Sequence, residues 1–145
     1  MSIQTVLCAV DISNAKGEDK VLKRAARLAE LEGAQLDVIT VVPDYGMSVV
    51  GAFFDEEHHE KVVEDTKAAL SDLITAALGV EANAKVRHVV ATGSAYEQIL
   101  KTAEADGADL IVIGAHKPDF KDYLLGPNAS RVVRHSDASV YVVRE

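Results

Sequence analysis

The stretch Leu110-Ile111-Val112-Ile113-Gly114, with the segment Leu124-Leu125-Gly126-Pro127-Asn128-Ala129-Ser130 after a loop, constrains this chain more than any other. Four consecutive branched or long apolar residues after Asp109 predict a strand buried on both faces. Gly114 ends that strand, where the backbone must turn sharply or lie against something bulky. After the loop, Gly126-Pro127 opens a helix, with proline at the first helical position, where its missing N–H costs little. A strand's carboxyl end facing a helix N-terminus is where an open α/β sheet binds an anionic ligand.

The rest of the chain repeats that strand-then-helix pattern. Val6 to Val10 is a continuous apolar strand, and Asp11-Ile12-Ser13-Asn14 is turn chemistry in which Ser13 or Asn14 can cap the first helix. Apolar residues recur at helical spacing from Lys16 to Glu32, and Gly33 closes that helix as a left-handed cap. Leu36 to Val42 is a second strand, stopped by Pro43. Asp44 to Phe54 has no clean period and mixes glycines with Tyr45, Met47, Phe53 and Phe54, which suggests a lid or contact surface. A helix over Asp55 to Leu78, a strand over Lys85 to Val90, the turn Ala91-Thr92-Gly93-Ser94 and a helix over Ala95 to Ala105 come after it. The strand at Leu110, a helix from Pro127 to His135 and a strand from Val140 complete the series. Five strands alternating with four helices through short links predict one α/β domain over residues 1–145, a parallel sheet covered on both faces.

Composition narrows the function. At 145 residues the chain can bury a core without staples. No apolar run approaches the roughly 18 residues of a membrane span, and Met1-Ser2-Ile3-Gln4 lacks a signal peptide's basic start, so a cytosolic, membrane-free protein is expected. The single Cys8 lies inside an apolar run and reads as a small core residue. A net charge of −8 argues against nucleic acid, which needs a basic face. Residues 114–145 hold five basic and four acidic side chains, a net of +1. The rest holds ten basic and nineteen acidic ones, a net of −9, so a small anion meets least repulsion at the C-terminal third.

Several sites are absent. There is no Gly-x-x-x-x-Gly-Lys-Ser/Thr loop, no Gly-x-Gly-x-x-Gly in the first strand-to-helix turn, and no aspartate ending the third strand to accept a phosphoryl group. The five histidines are scattered without metal-ligand spacing, so no metal site is expected from protein ligands. No nucleophile–base pair stands out, and efficient hydrolysis is not indicated.

Ile113-Gly114-Ala115-His116, Leu124-Leu125-Gly126 and Val132-Val133-Arg134-His135 resemble the C-terminal signature of the universal stress protein family. Nucleotide-binding members show a glycine, a second glycine three residues later, nine residues, then glycine-serine. Gly114 and Gly126 match the outer glycines, while Lys117 stands at the middle one, the following spacing is eight, and Pro127 stands at the serine. The run His116-Lys117-Pro118-Asp119 with Tyr123-Leu124-Leu125-Gly126 is closer to the family's F/G-type branch.

The resemblance covers essentially the whole chain. It implies a doubly wound, adenine-nucleotide alpha-hydrolase-like sheet in the order 3-2-1-4-5, with Asp11 and Gly114 flanking the switch point. It further implies a stress-response regulator that binds ATP, with Mg2+ carried on the phosphates. The residues carried over to adenine and ribose are Ala9, Val10, Asp11 and Val41, with Gly93 after the third strand. Ile113 and Gly114 would approach the ribose and phosphates, and any Cβ at Gly114 would block that approach. Gly126, Asn128, Ala129 and Ser130 would face the phosphates at the helix start, with His116 and Lys117 in the loop above.

A second reading is a dimeric interaction scaffold with a vestigial crevice, which Lys117, the shortened loop and Pro127 favour. In the resembled family the last strand, here Val140, Tyr141, Val142 and Val143, pairs with its copy in a homodimer that can assemble to a tetramer. A protein partner for the stress signal is also implied.

Overall fold

The computed structural model describes residues 2–43, 56–115 and 126–144. The loop Asp44–Phe54, expected as a lid or contact surface, lies outside the described residues. The chain runs β1 (Thr5–Ala9), a 3-10 turn (Ile12–Asn14), α1 (Ala15–Glu32), β2 (Gln35–Val42), α2 (Glu56–Leu78) and α3 (Val80–Asn83). It continues with β3 (Arg87–Thr92), α4 (Ala95–Asp106), β4 (Leu110–Gly114), α5 (Gly126–His135) and β5 (Ser139–Val143). The five strands form one parallel sheet in the order β3-β2-β1-β4-β5. No helix among the described residues is long and apolar enough to cross a membrane.

The sheet is apolar on both faces because each face is covered. On one side Val6, Cys8 and Val10 of the β1 segment meet Val21, Leu22 and Ala25 of α1 and Leu70 and Ile74 of α2. On the other, Leu7 and Ala9 join Ile39, Ile111 and Ile113 under Ile99 and Ala103 of α4 and Ala129 and Val132 of α5. A Leu, Ile or Val side chain fully buried in this way stabilises the fold by about 1.5–3 kcal/mol. Cys8 belongs to this core, and burial pushes its thiol well above the ordinary range. Asp109 docks β4 against β1: its Oδ2 accepts from the N–H groups of Gln4 at 2.8 Å and Thr5 at 3.2 Å.

Two expectations need correction. Among the described residues the α-helices number five rather than four, because Val80–Asn83 forms an extra short helix. So short a helix cannot form on propensity; Asn83 holds it in place. Its Nδ2 donates to Ser71 Oγ at 3.0 Å and Thr75 Oγ1 at 2.8 Å on α2, and its Oδ1 lies 2.6 Å from His88 Nε2 on β3. The third strand accordingly starts at Arg87, not Lys85, since the N–H groups of Lys85 and Val86 still bond back to Ala82 and Asn83.

One acidic group lies deep in the sheet. Asp37 of β2 is buried, and neither its Oδ1 nor the buried Oδ2 of Asp106 has a hydrogen-bond partner. Burial, then the Asp106 carboxyl, pushes the Asp37 carboxyl up to about 6. This pair sits at the amino end of the strands' ladder, away from the carboxyl ends where the sheet opens.

Candidate nucleotide-binding crevice

The strand order reverses between β1 and β4: α1 leaves β1 over one face of the sheet, and α5 follows β4 over the other. The carboxyl ends of the two strands therefore diverge, opening a crevice of about 500 Å³. That is a size suited to a small molecule. β1 and its turn contribute Ala9, Val10, Asp11, Ile12 and Ser13, and β2 contributes Ile39, Val41, Val42 and Pro43. β4 brings Ile113 and Gly114, α4 Ala95 and Ile99, α5 Asn128 and Ala129, and α2 Val62 and Thr66. Glu18, in the first turn of α1, completes the lining.

The slot is mostly aliphatic, and its two carboxyl groups, Asp11 and Glu18, lie close together near the end of β1. Asp11 Oδ1 accepts from the Ser13 N–H at 3.0 Å and from Ser13 Oγ at 2.6 Å. The aspartate thus shapes its own turn and remains exposed at the crevice. Glu18 is only 2% exposed, and its Oε2 has no hydrogen-bond partner. Burial, then the charge of Asp11, pushes the Glu18 carboxyl up to about 7, partly offset by the Asp11 backbone N–H that it accepts. Across the crevice, Asn128 and Ala129 lie in the first turn of α5, where unpaired N–H groups and the helix dipole favour an anion. Among the described lining residues there is no Lys, Arg or His. No group of three or more metal-ligating side chains occurs among the described residues.

The structure brings Ala9, Val10, Asp11, Val41, Ile113, Gly114, Asn128 and Ala129 to this one crevice. Gly93 and Ser130 are not in its lining. Gly93 follows β3 at the sheet's far edge, donates to the Val42 carbonyl at 2.9 Å and takes φ +133, a turn position. Ser130 is exposed on α5. Gly126 is the first residue of α5, while His116 and Lys117 lie outside the described residues.

Gly114 lines the crevice and has a packing role besides the one expected. A Cβ there would sit 2.9 Å from Val21 Cγ2 on α1, closer than real Cβ atoms approach. The glycine is required for helix-on-strand packing, whatever enters the crevice.

Glu18 was missed because Lys16-Gly17-Glu18-Asp19-Lys20 reads as a solvated first turn. A signal was present: Glu18 is three residues before Val21 and four before Leu22, on the inward stripe.

An open doubly wound sheet with a small crevice at its switch point defines the class: an α/β fold of the doubly wound kind, in which ligands characteristically bind at that point. The chain belongs to the universal stress protein family, whose family model matches residues 2–144. It is 29% identical over 146 aligned residues to universal stress protein G of Escherichia coli O157:H7, covering 97% of this chain and 99% of that one. In structure it is similar to MJ0577 of Methanocaldococcus jannaschii, with a TM-score of 0.79 at 24% identity, covering 100% of this chain and 98% of that one. The Archaeoglobus fulgidus universal stress protein in complex with dAMP superposes with a TM-score of 0.66 at 19% identity, covering 98% of both chains.

Proposed function

We propose that this protein is a stress-response regulator that binds an adenine nucleotide, ATP with Mg2+ carried on its phosphates, in the β1/β4 crevice. The observation that carries the reading is a single crevice lined by aliphatic Ala9, Val41 and Ile113, by the Asp11 carboxyl and by the first turn of α5. A flat base fits the slot and gains by leaving water. The Asp11 carboxylate can accept from an amino or hydroxyl group. The start of α5 suits phosphate, which is where a nucleotide's charge must go given the two carboxyls near β1. The dAMP complex of the A. fulgidus relative supports an adenine nucleotide over other flat ligands.

Mass spectrometry of whatever leaves the purified protein on denaturation should show an adenine nucleotide, and added Mg-ATP should raise its thermal midpoint. Val41→Phe is expected to weaken ATP and adenosine alike by tenfold or more, about 1.4 kcal/mol, because the ring occupies the base slot. Titration calorimetry with both ligands checks this. Equal affinity in wild type and variant would place the base elsewhere.

A second reading, a dimeric scaffold with a vestigial crevice, is favoured by one observation: the described lining offers carboxyls and no cation to a polyphosphate. We propose the dimer under either reading. β5 pairs with β4 on one side only among the described residues, and the large apolar side chains Tyr141 (39% exposed) and Val133 (45%) remain open to solvent. Edge strands of this kind pair readily with a second copy across a two-fold axis. Proline at Tyr141 or at Val142 is expected to shift the protein toward monomer in sedimentation for whichever residue's N–H faces away from β4. An unchanged dimer with both variants would put the interface elsewhere.

A further inference from the structure

Glu18 is a long acidic side chain with its carboxyl almost wholly removed from solvent, yet it lines the crevice and leaves Oε2 without a partner. A buried polar atom without a partner costs free energy, so its retention calls for a reason. The same carboxyl faces a second one, Asp11, and two like charges side by side in a cleft do not both ionise readily. Asp11 is the more exposed and is already held as an acceptor by the Ser13 N–H and Oγ. The proton therefore goes to Glu18, and a protonated carboxyl has an O–H to give.

We propose that Glu18 is a ligand-binding residue of this crevice, donating from its neutral carboxyl to an acceptor on the nucleoside part of the bound nucleotide, so that nucleotide is held below neutral pH and released above it. The proposal rests on the nucleotide reading of the crevice. Its chemistry needs only a ring nitrogen or a sugar oxygen near the end of β1, beside Asp11. Once Glu18 ionises, the donor is gone and a second negative charge stands next to Asp11, which disfavours any anionic ligand as well.

Among the described residues lining the crevice, this carboxyl is the group that titrates near neutrality. From the β1 turn, Asp11 faces it; from β1, the Cys8 thiol lies close enough to feel its charge. To the crevice lining α2 contributes Val62 and Thr66, β4 Ile113 and Gly114, and the 3-10 turn Ile12 and Ser13, none of which titrates near neutrality. The Glu18 carboxyl itself, at about 7, changes state close to neutrality.

Calorimetric titration of the full chain with ATP and with adenosine, from about pH 6 to about pH 8, tests this with Glu18→Gln and Glu18→Ala. Wild type is expected to lose affinity above neutrality by up to about tenfold per pH unit, the limit for one linked proton. Glu18→Gln keeps a donor and no charge, so it should bind at high pH about as tightly as wild type does at low pH. Glu18→Ala should be equally insensitive to pH but weaker throughout, since the hydrogen bond is missing. ATP phosphates titrate in this range too, with a second ionisation near about 6, and adenosine does not; the wild-type slope should persist with adenosine. Wild type and Glu18→Ala binding equally at low pH, or the same pH profile in wild type and Glu18→Gln, would overturn the proposal while leaving the nucleotide reading intact. Failure of wild type to bind either ligand at every pH would overturn both.

Discussion

A Gly114→Ala variant is expected to lose about 1–3 kcal/mol of stability before any ligand is added, the usual cost of forcing an extra group into a packed interior. The new Cβ would lie 2.9 Å from Val21 Cγ2, and Val21 is itself buried between α1 and the sheet. As a β-branched residue in a helix, Val21 has essentially one comfortable rotamer, so it cannot simply swing aside. Gly114→Val should cost more than alanine. The helix and strand must separate, and the crevice that both line will deform with them. Urea midpoints for Gly114→Ala, Val21→Ala and the double variant check the cause. Removing Val21 Cγ2 should relieve the clash, so the double variant should be more stable than the two single losses added together. Strict additivity would mean that Val21 is not what Gly114 must avoid. Loss of nucleotide binding in a Gly114 variant is therefore no evidence about the ligand without this control.

Glu18→Gln is expected to stabilise the fold at about pH 8, by up to about 3 kcal/mol, and to do almost nothing at about pH 4. The carboxyl's native pKa of about 7 is raised above the ordinary glutamate value of about 4.3. The folded state therefore binds this proton more tightly than the unfolded chain does. Below the unfolded value both states are protonated and the favourable environment of the neutral acid is fully realised. As pH rises from there to about 7, the unfolded chain ionises freely while the native carboxyl resists, and stability falls. Above about 7 the native protein carries a buried charge next to Asp11. Gln has nearly the same shape and no charge to bury. Thermal unfolding without ligand across this range measures the difference, expected to reach about 5–10 °C at the alkaline end for a domain of this size. A variant no more stable than wild type at about pH 8 would show that water or a counter-charge reaches Glu18 in solution.

The alternation of strands and helices was legible because burial imposes its own period. Val6 to Val10 and Leu110 to Ile113 are apolar without interruption, which only a strand covered on both faces requires. Gly33 ends α1 in the left-handed conformation, at φ +63, as its place after the last inward residue implies. The residues beside β1 and β4 could be named in advance because the resemblance to the universal stress protein family implies the strand order, and such a sheet places its ligand at the carboxyl ends of its strands. What periodicity does not encode is any contact between elements distant in the chain. The short helix at Val80 exists because Asn83 reaches Ser71, Thr75 and His88.

The sequence alone determined the fold class, through local spacing, and its resemblance to a known family pointed to most of one crevice. Only the tertiary structure decided what two individual residues are for. Gly114 reads along the chain as space left for a ligand, and the structure adds that Val21, from a helix far back in the chain, needs the same space. Glu18 looked like a solvated charge. Packing α1 against β1 and α2 strips its carboxyl of water and sets it beside Asp11, and a charge's cost depends on that environment, which no pattern along the chain states.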